Sequence, residues 1–367
     1  MADYGTVSNA DITSDEADAE SGCPPVRHKQ TGIFVSQPDK KEMIIFEQPS
    51  RHRYISIFKA NFEKEIIYSI IFLMDRKQFL KSLAILPLIG TTMKLNALSS
   101  LAGSLNNTAK MPVLFLGHGS PMNAIEENEF VTGFRNISTT IPKPQAILCI
   151  SAHWETRGTF VTAMEKPKTI HDFGGFPKEL YEVQYPAKGS PELAKATQTL
   201  VTKAIVGLDD KWGLDHGAWS VIKHLYPNAD IPVIEMSLDY SQPPQYHYEL
   251  AQELKALREK GVLIIGSGNM VHNLRMVAWN KLNEDFAFDW AIEASEKMKG
   301  FILNDDHSSL IHYSRQGKPF QLSIPSPEHY LPLLYALALK DIHEDITLFN
   351  DKPVGGSLTM TSLKISS

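Results

Sequence analysis

The sequence predicts an α/β fold, a layered α/β/α domain around a central and largely parallel sheet. Two observations carry this. From Met111 onward, short runs of strand length alternate with helical segments across short connections, the order of a layered α/β domain. Several of these runs are apolar throughout rather than alternating, as strands buried on both faces are.

Met111 to Leu116 is the first such run and closes on Gly117. Ser120-Pro121 then reads as a helix cap followed by proline at the first helical position. Ala146 to Ala152 is a second strand, Ile231 to Leu238 a third and Val262 to Ile265 a fourth, the last closing in Gly266-Ser267-Gly268-Asn269. Phe320 to Ile324 is expected as a further strand. Between them, Ser190-Pro191-Glu192 caps a helix running to about Ile205. Tyr246 to Lys260 forms another, with Leu250, Leu254 and Leu257 on one face and Gly261 as its stop. Glu284 to Leu303 and Tyr330 to Leu339 complete the helical set.

The preceding residues read differently, so the expected division is an N-terminal extension over 1–110 and a folded domain over 111–367. The first fifty residues are polar, and the first twenty hold six acidic residues and no basic one, a composition of disorder. Ile66 to Leu73 is apolar but too short to span a bilayer. From Met74, a basic start, an apolar Leu83 to Ile89 and a small-residue end outline an export signal. Arg76-Lys77-Gln78-Phe79-Leu80-Lys81 resembles a twin-arginine signal with lysine in the second place. An ordinary amphipathic helix is the alternative. The first reading places the true start at Met74 and the protein in the periplasm, the second leaves it cytoplasmic.

Composition narrows the function classes. A hydrophobic content of 43% over 367 residues provides for one sizeable domain or two smaller ones. A net charge of −6 without a basic stripe argues against a nucleic-acid partner. With only Cys23 and Cys149 there is no disulfide framework. Cys149, inside a predicted strand, reads as a small core residue. Gly266-Ser267-Gly268 lacks the third glycine of a dinucleotide fingerprint.

Chemistry concentrates in histidines. His118 stands between two glycines at a strand-to-helix turn, His153 follows the second strand, His272 follows the Gly268 turn and His329 follows Phe320 to Ile324. In a parallel sheet the C-terminal strand ends share one rim, so four such histidines converge, and neutral imidazoles make a transition-metal site. Glu155 and Glu328 adjoin two of them. Glu328 competes with His329 as a ligand, because two histidines and a carboxylate also form an iron(II) set. His216, between Asp215 and Gly217, is a candidate acid/base whose tautomer Asp215 would set; Asp215 as a mere helix cap is the other reading. Ile170 to Pro177 is a glycine-rich loop with two aromatics, suited to cover a flat ligand. His224 and His247 fall on helices, and His28, His52, His307, His312 and His343 are given no role.

Gly117-His118-Gly119-Ser120-Pro121, Ser151-Ala152-His153-Trp154, His171-Asp172-Phe173-Gly174-Gly175-Phe176, Asp215-His216-Gly217-Ala218-Trp219, Gly268-Asn269-Met270-Val271-His272-Asn273 and Pro327-Glu328-His329-Tyr330 occur in this order. In these motifs the chain resembles the LigB-type class III extradiol ring-cleavage dioxygenases, in their 4,5-DOPA dioxygenase branch, from about Met111 to the C-terminus. The resemblance implies a single α/β domain with one divalent metal at the strand ends, Fe(II) for ring cleavage or Zn(II) as bound. It implies a small catecholic substrate such as DOPA, opened beside its two hydroxyls with both atoms of O2. His118 and His153 match the family's firmest ligands. His272 and His329 match further histidines that complete a metal site or carry protons, and His216 matches a pocket histidine that handles substrate protons. The relatives' glutamate at the third ligand leaves Glu328 and His329 both open. A zinc hydrolase and a non-catalytic ligand-binding relative are the competing expectations. No stable membrane span is expected, and the sequence does not decide the oligomeric state.

Overall fold

The structure is a computed structural model and describes Leu105 and residues 108–367. The acidic segment, the signal-like stretch from Met74 and nearly all of the expected 1–110 extension lie outside these residues. The strands are β1 (Val113–Gly117), β2 (Ala146–Thr156), β3 (Thr159–Thr162), β4 (Val206–Asp209), β5 (Val233–Asp239), β6 (Val262–Gly268), β7 (Asp345–Phe349), β8 (Pro353–Val354), β9 (Leu358–Thr359) and β10 (Ser362–Ser366). Eight of them form one sheet in the order β4-β3-β5-β2-β6-β1-β10-β7, and β8 pairs with β9 in a small ribbon. The central four, β5-β2-β6-β1, are parallel to one another, while β10 and β7 close one side antiparallel.

The all-apolar strands are explained by helices on both faces. Val113 and Phe115 of β1 enter one core with Leu148 and Ile150 of β2 and Ile264 of β6. Leu114 and Leu116 enter a second core with Ile147, Cys149, Leu263 and Ile265. Side chains alternate across the sheet with a period of two, so a strand buried on both sides has no polar face to show. Residues from the helices Pro191–Leu200, Pro244–Gln252, Asp289–Leu303 and Leu331–Ala338 fill the first core, and residues from Glu129–Ser138 and His216–Leu225 fill the second. Cys149 is fully buried there. Among the described residues no helix is long and apolar enough to cross a membrane.

Four expectations need correction. Phe320 to Ile324 is not a strand, because Lys318–Ser323 is helical. Five residues of alternating Phe320-Gln321-Leu322-Ser323-Ile324 are too few for periodicity to separate a strand from a short helix. Pro319 sits in the first turn, where its missing N–H leaves no bond unmade, and Phe320 and Ser323, one turn apart, are both buried. The helix over 246–260 is two helices, Pro244–Gln252 and Lys255–Arg258. They are joined where Glu253 and Leu254 N–H donate three residues back, to Leu250 and Ala251, a tightened turn that still leaves Leu250, Leu254 and Leu257 buried. The helix from Pro191 stops at Leu200, where Val201 turns extended. The helix expected from Glu284 begins at Asp289.

Candidate metal centre

β1 delivers His118 to the C-terminal rim, where its backbone N–H donates to Gly268 O at the end of β6, 3.1 Å. Gly119 holds a φ of +61°, a left-handed backbone that glycine adopts without strain. Ser120 then caps a short 3-10 turn, its hydroxyl oxygen accepting from Met122 N–H at 3.2 Å.

His153 departs from its expected position. β2 continues to Thr156, and its pairing with β5 shifts between Ile150 and Glu155. His153 therefore lies inside the strand at an irregularity, and such bulges re-aim side chains next to sites.

His216 is the first residue of the helix His216–Leu225, and Asp215 is that helix's cap, accepting from Ala218 N–H and from the Ser151 hydroxyl at 2.6 Å. The carboxylate on the His216 ring is therefore not Asp215 but Asp172, from the glycine-rich loop. Its Oδ2 accepts from His216 Nδ1–H at 3.0 Å and its Oδ1 from the His216 backbone N–H at 2.9 Å.

His329 arrives without a strand. It stands just before the helix Leu331–Ala338, and its carbonyl accepts from Asn269 N–H at 2.8 Å, directly past β6. A Cβ on Gly268 would lie 2.1 Å from that carbonyl oxygen, so the approach requires glycine. His272 is tied by its backbone N–H to Ser323 O at 2.9 Å.

All five imidazoles meet. Ring centroids lie 5.0 Å apart for His118 and His153, 5.2 Å for His118 and His329, 4.9 Å for His153 and His329, and 3.9 Å for His153 and His216. His272 is stacked on His329 at 3.6 Å with the planes 8° apart. His118 Nε2 faces His153 Nε2 at 3.2 Å. Two nitrogens each at about 2.0–2.1 Å from one ion would stand about 2.8–3.4 Å apart for angles near 90–110°. The pair fits a shared metal. Donor groups that suit an ion fall into two separate sets, His118 with His153 and His216, and His272 with Glu328 and His329, and the His329 ring stands between them, 5.2 Å from His118 and 4.9 Å from His153.

For His118, His216 and His329 an oxygen on Nδ1 fixes which way the imidazole points its lone pair. Ser267 donates its one proton to Gly217 O at 2.5 Å, so its oxygen accepts from His118 Nδ1–H at 3.0 Å. That leaves His118 Nε2 unprotonated. His153 Nδ1 lies 3.4 Å from Asp172 Oδ2, and His329 Nδ1 lies 3.2 Å from Glu328 Oε1, which also accepts from Ser326. Burial, with the neighbouring imidazoles adding to it, holds His118 and His329 well below the usual histidine range. Burial lowers His153 to about 3 and His272 to about 4. The rings are therefore neutral at pH 7, the form that ligates. Burial works against the Asp172 charge, yet its bonds to His216 hold that carboxyl below its ordinary value.

One wall is aromatic. Phe173 meets His216 edge-on at 5.5 Å and lies within 6.3 Å of Trp219, with Phe176 and Tyr181 beside it. The loop expected to cover a flat ligand thus borders the imidazoles. Sequence reasoning missed Ser267 and the role of Asp172. Asp172 lies in a motif already singled out, but nothing local marks which histidine it serves. Glu155 is exposed, and burial together with Glu328 raises its carboxyl.

Fold and site define the class, an α/β protein with a cluster of neutral imidazoles able to hold a metal at its sheet rim. The family model described as the catalytic LigB subunit of aromatic ring-opening dioxygenase matches residues 112–321. The chain is 46% identical over 264 residues to a 4,5-DOPA dioxygenase extradiol of Escherichia coli (strain K12), a match covering 71% of this chain and 96% of that one. It is 36% identical to a 4,5-DOPA dioxygenase extradiol of Beta vulgaris, covering 69% and 96%. The crystal structure of an uncharacterized protein from Escherichia coli K12 is similar at 42% identity and a TM-score of 0.61, covering 70% of this chain and all of that one. The chain belongs to the LigB family, and it is an extradiol ring-opening dioxygenase, a family that uses a metal cofactor.

Proposed function

We propose that the protein opens the ring of a catechol such as DOPA by 4,5-extradiol cleavage with O2. The catalytic domain in this reading is 111–367, and 1–110 is an extension to it. The 3.2 Å approach of His118 Nε2 and His153 Nε2 carries the proposal, and the names of the relatives supply the substrate class.

In this reading His118, His153 and His329 hold the ion. A lone pair lies in its ring plane, and two rings stacked 3.6 Å apart and nearly parallel do not aim at one point. His272 is therefore assigned to proton transfer beside His329 rather than to a fourth ligand position. Glu328, engaged by His329 and Ser326, orients the His329 ring. Three nitrogen donors leave positions open for substrate. Iron(II) held there would supply the redox chemistry that lets O2 react with a catechol, whereas zinc would fill the same nitrogens without it. With Nδ1 on Asp172, His216 offers Nε2 to a phenolic proton. Phe173 gives the substrate ring an apolar edge to lie against, and its loop limits water at the site.

The test is anaerobic loading of the protein with Fe(II), then addition of DOPA and oxygen. A yellow ring-opened product with one O2 consumed per catechol is expected. Hydrolytic activity with Zn(II), and no oxygen uptake under any loading, would overturn the proposal.

A further inference from the structure

We propose that Asp172 is a positioning residue that sets the tautomers of two imidazoles at once, those of His216 and His153, and so couples the proton carrier to a metal ligand. This rests on the roles given to those two histidines above. The Asp172 side chain is 17% exposed, and its Oδ2 stands 3.0 Å from His216 Nδ1 and 3.4 Å from His153 Nδ1. A carboxylate only accepts, so a neutral His216 bonded to it must place its single N–H on that side, and the carboxylate charge 3.4 Å from His153 Nδ1, longer than a hydrogen bond, favours the same tautomer there. Both Nε2 atoms are then left with lone pairs, one for a metal and one for a substrate proton. His118 is set independently by Ser267, so the carboxylate serves two of the rings and not the whole cluster.

The carboxylate is held by more than the rings it orients. Trp219 Nε1–H donates to Ile170 O at 2.8 Å, and His171 Nε2–H donates to Val183 O at 3.0 Å. Phe173 packs edge-on against His216. The loop thus brings the carboxylate to the site from anchors outside the imidazole cluster.

Asp172→Asn separates this role from simple packing. The His216 backbone N–H requires an acceptor, so the amide oxygen keeps the Oδ1 position and the NH2 group faces His216 Nδ1. A donor there drives the ring proton to Nε2, where it blocks proton uptake. A lost tautomer partner of this kind is far more costly to a proton-carrying histidine than lost packing. The near-isosteric Asn variant is therefore expected to turn over DOPA more slowly than Asp172→Ala, the reverse of what a packing role predicts.

The primary measurement is on the full-length, metal-free protein. Histidine 15N chemical shifts in Asp172→Asn should report His216 with its proton moved to Nε2, and thermal melting confirms that both variants are folded. Co(II) titration should show affinity lowered about 10–100-fold in each variant, the usual cost of losing an outer partner of a ligating histidine. Unchanged tautomers in Asp172→Asn, or an Asn variant that keeps wild-type kcat while the Ala variant loses it, would overturn the inference. The tautomer readout needs no metal and no catechol, so it stands or falls separately from the ring-cleavage proposal.

Discussion

His118 is the ring whose removal tests the site most directly, because its Nε2 is both unprotonated and aimed at His153. His118→Ala is expected to abolish metal binding; a variant that still takes up one Co(II) per chain in a titration would refute its place as a ligand. His216→Ala should keep the metal, since the three imidazoles assigned to the ion remain, while kcat falls about 10²–10⁴-fold for loss of an acid/base group. Steady-state kinetics unchanged from wild type would take His216 out of the mechanism. At this scale the sequence is informative about the rings and silent about their partners. His118 and His329 sit in local glycine, serine or proline contexts that mark a turn, whereas His153 follows a serine yet stands inside a strand. Ser267 reaches His118 across 149 positions and Asp172 reaches His216 across 44, and no local pattern encodes such pairings.

Between elements, the site depends on how closely the end of β6 approaches the turn that carries His329. Gly268→Ala leaves every imidazole intact yet would push a methyl group against the His329 carbonyl. It should cost about 1–3 kcal/mol of stability for overpacking and weaken Co(II) binding in the same titration. Gly174→Ala is the matched control, because a Cβ there meets nothing within 4 Å, and its melting temperature should stay at the wild-type value. Retained metal affinity in Gly268→Ala would mean that His329 is not placed by this contact. The run over 320–324 shows why element type was not fully legible. Its burial comes from packing against the helix Asp289–Leu303, and a contact made in space leaves no period in five residues. β2 shows the same limit from the other side, since its register shift depends on pairing with β5 and not on its own composition.

For the whole molecule, neutral buried imidazoles make stability depend on pH. His153 is lowered to about 3, and His272 and His247 to about 4, burial being the largest cause in each. In the unfolded chain histidines take up protons near pH 6.5, so below that value the unfolded state binds more protons than the folded one. Stability of the metal-free protein is then fully present above about pH 6.5 and falls as pH drops toward 4, with His247 alone worth roughly 3 kcal/mol across that window. Asp215 and Glu235, raised by burial, shift the opposite way and offset part of the slope. The urea midpoint at pH 5 is expected below that at pH 7, and a flat profile would contradict the buried neutral state. Metal at about 100 times its dissociation constant should add about 2.7 kcal/mol at pH 7, a gain reversed by a chelator. The sequence by itself determined the layered α/β class, the sheet's apolar strands and the histidines that gather at its rim, because strand burial and turn chemistry are written in short windows. Only the tertiary structure decided that His329 arrives from a helix-flanking turn, that His153 sits inside a bulged strand and that Asp172, not Asp215, faces the His216 ring. Those outcomes depend on close approach between segments distant in the chain, and steric fit and hydrogen bonding at such contacts exist only once the layers have packed.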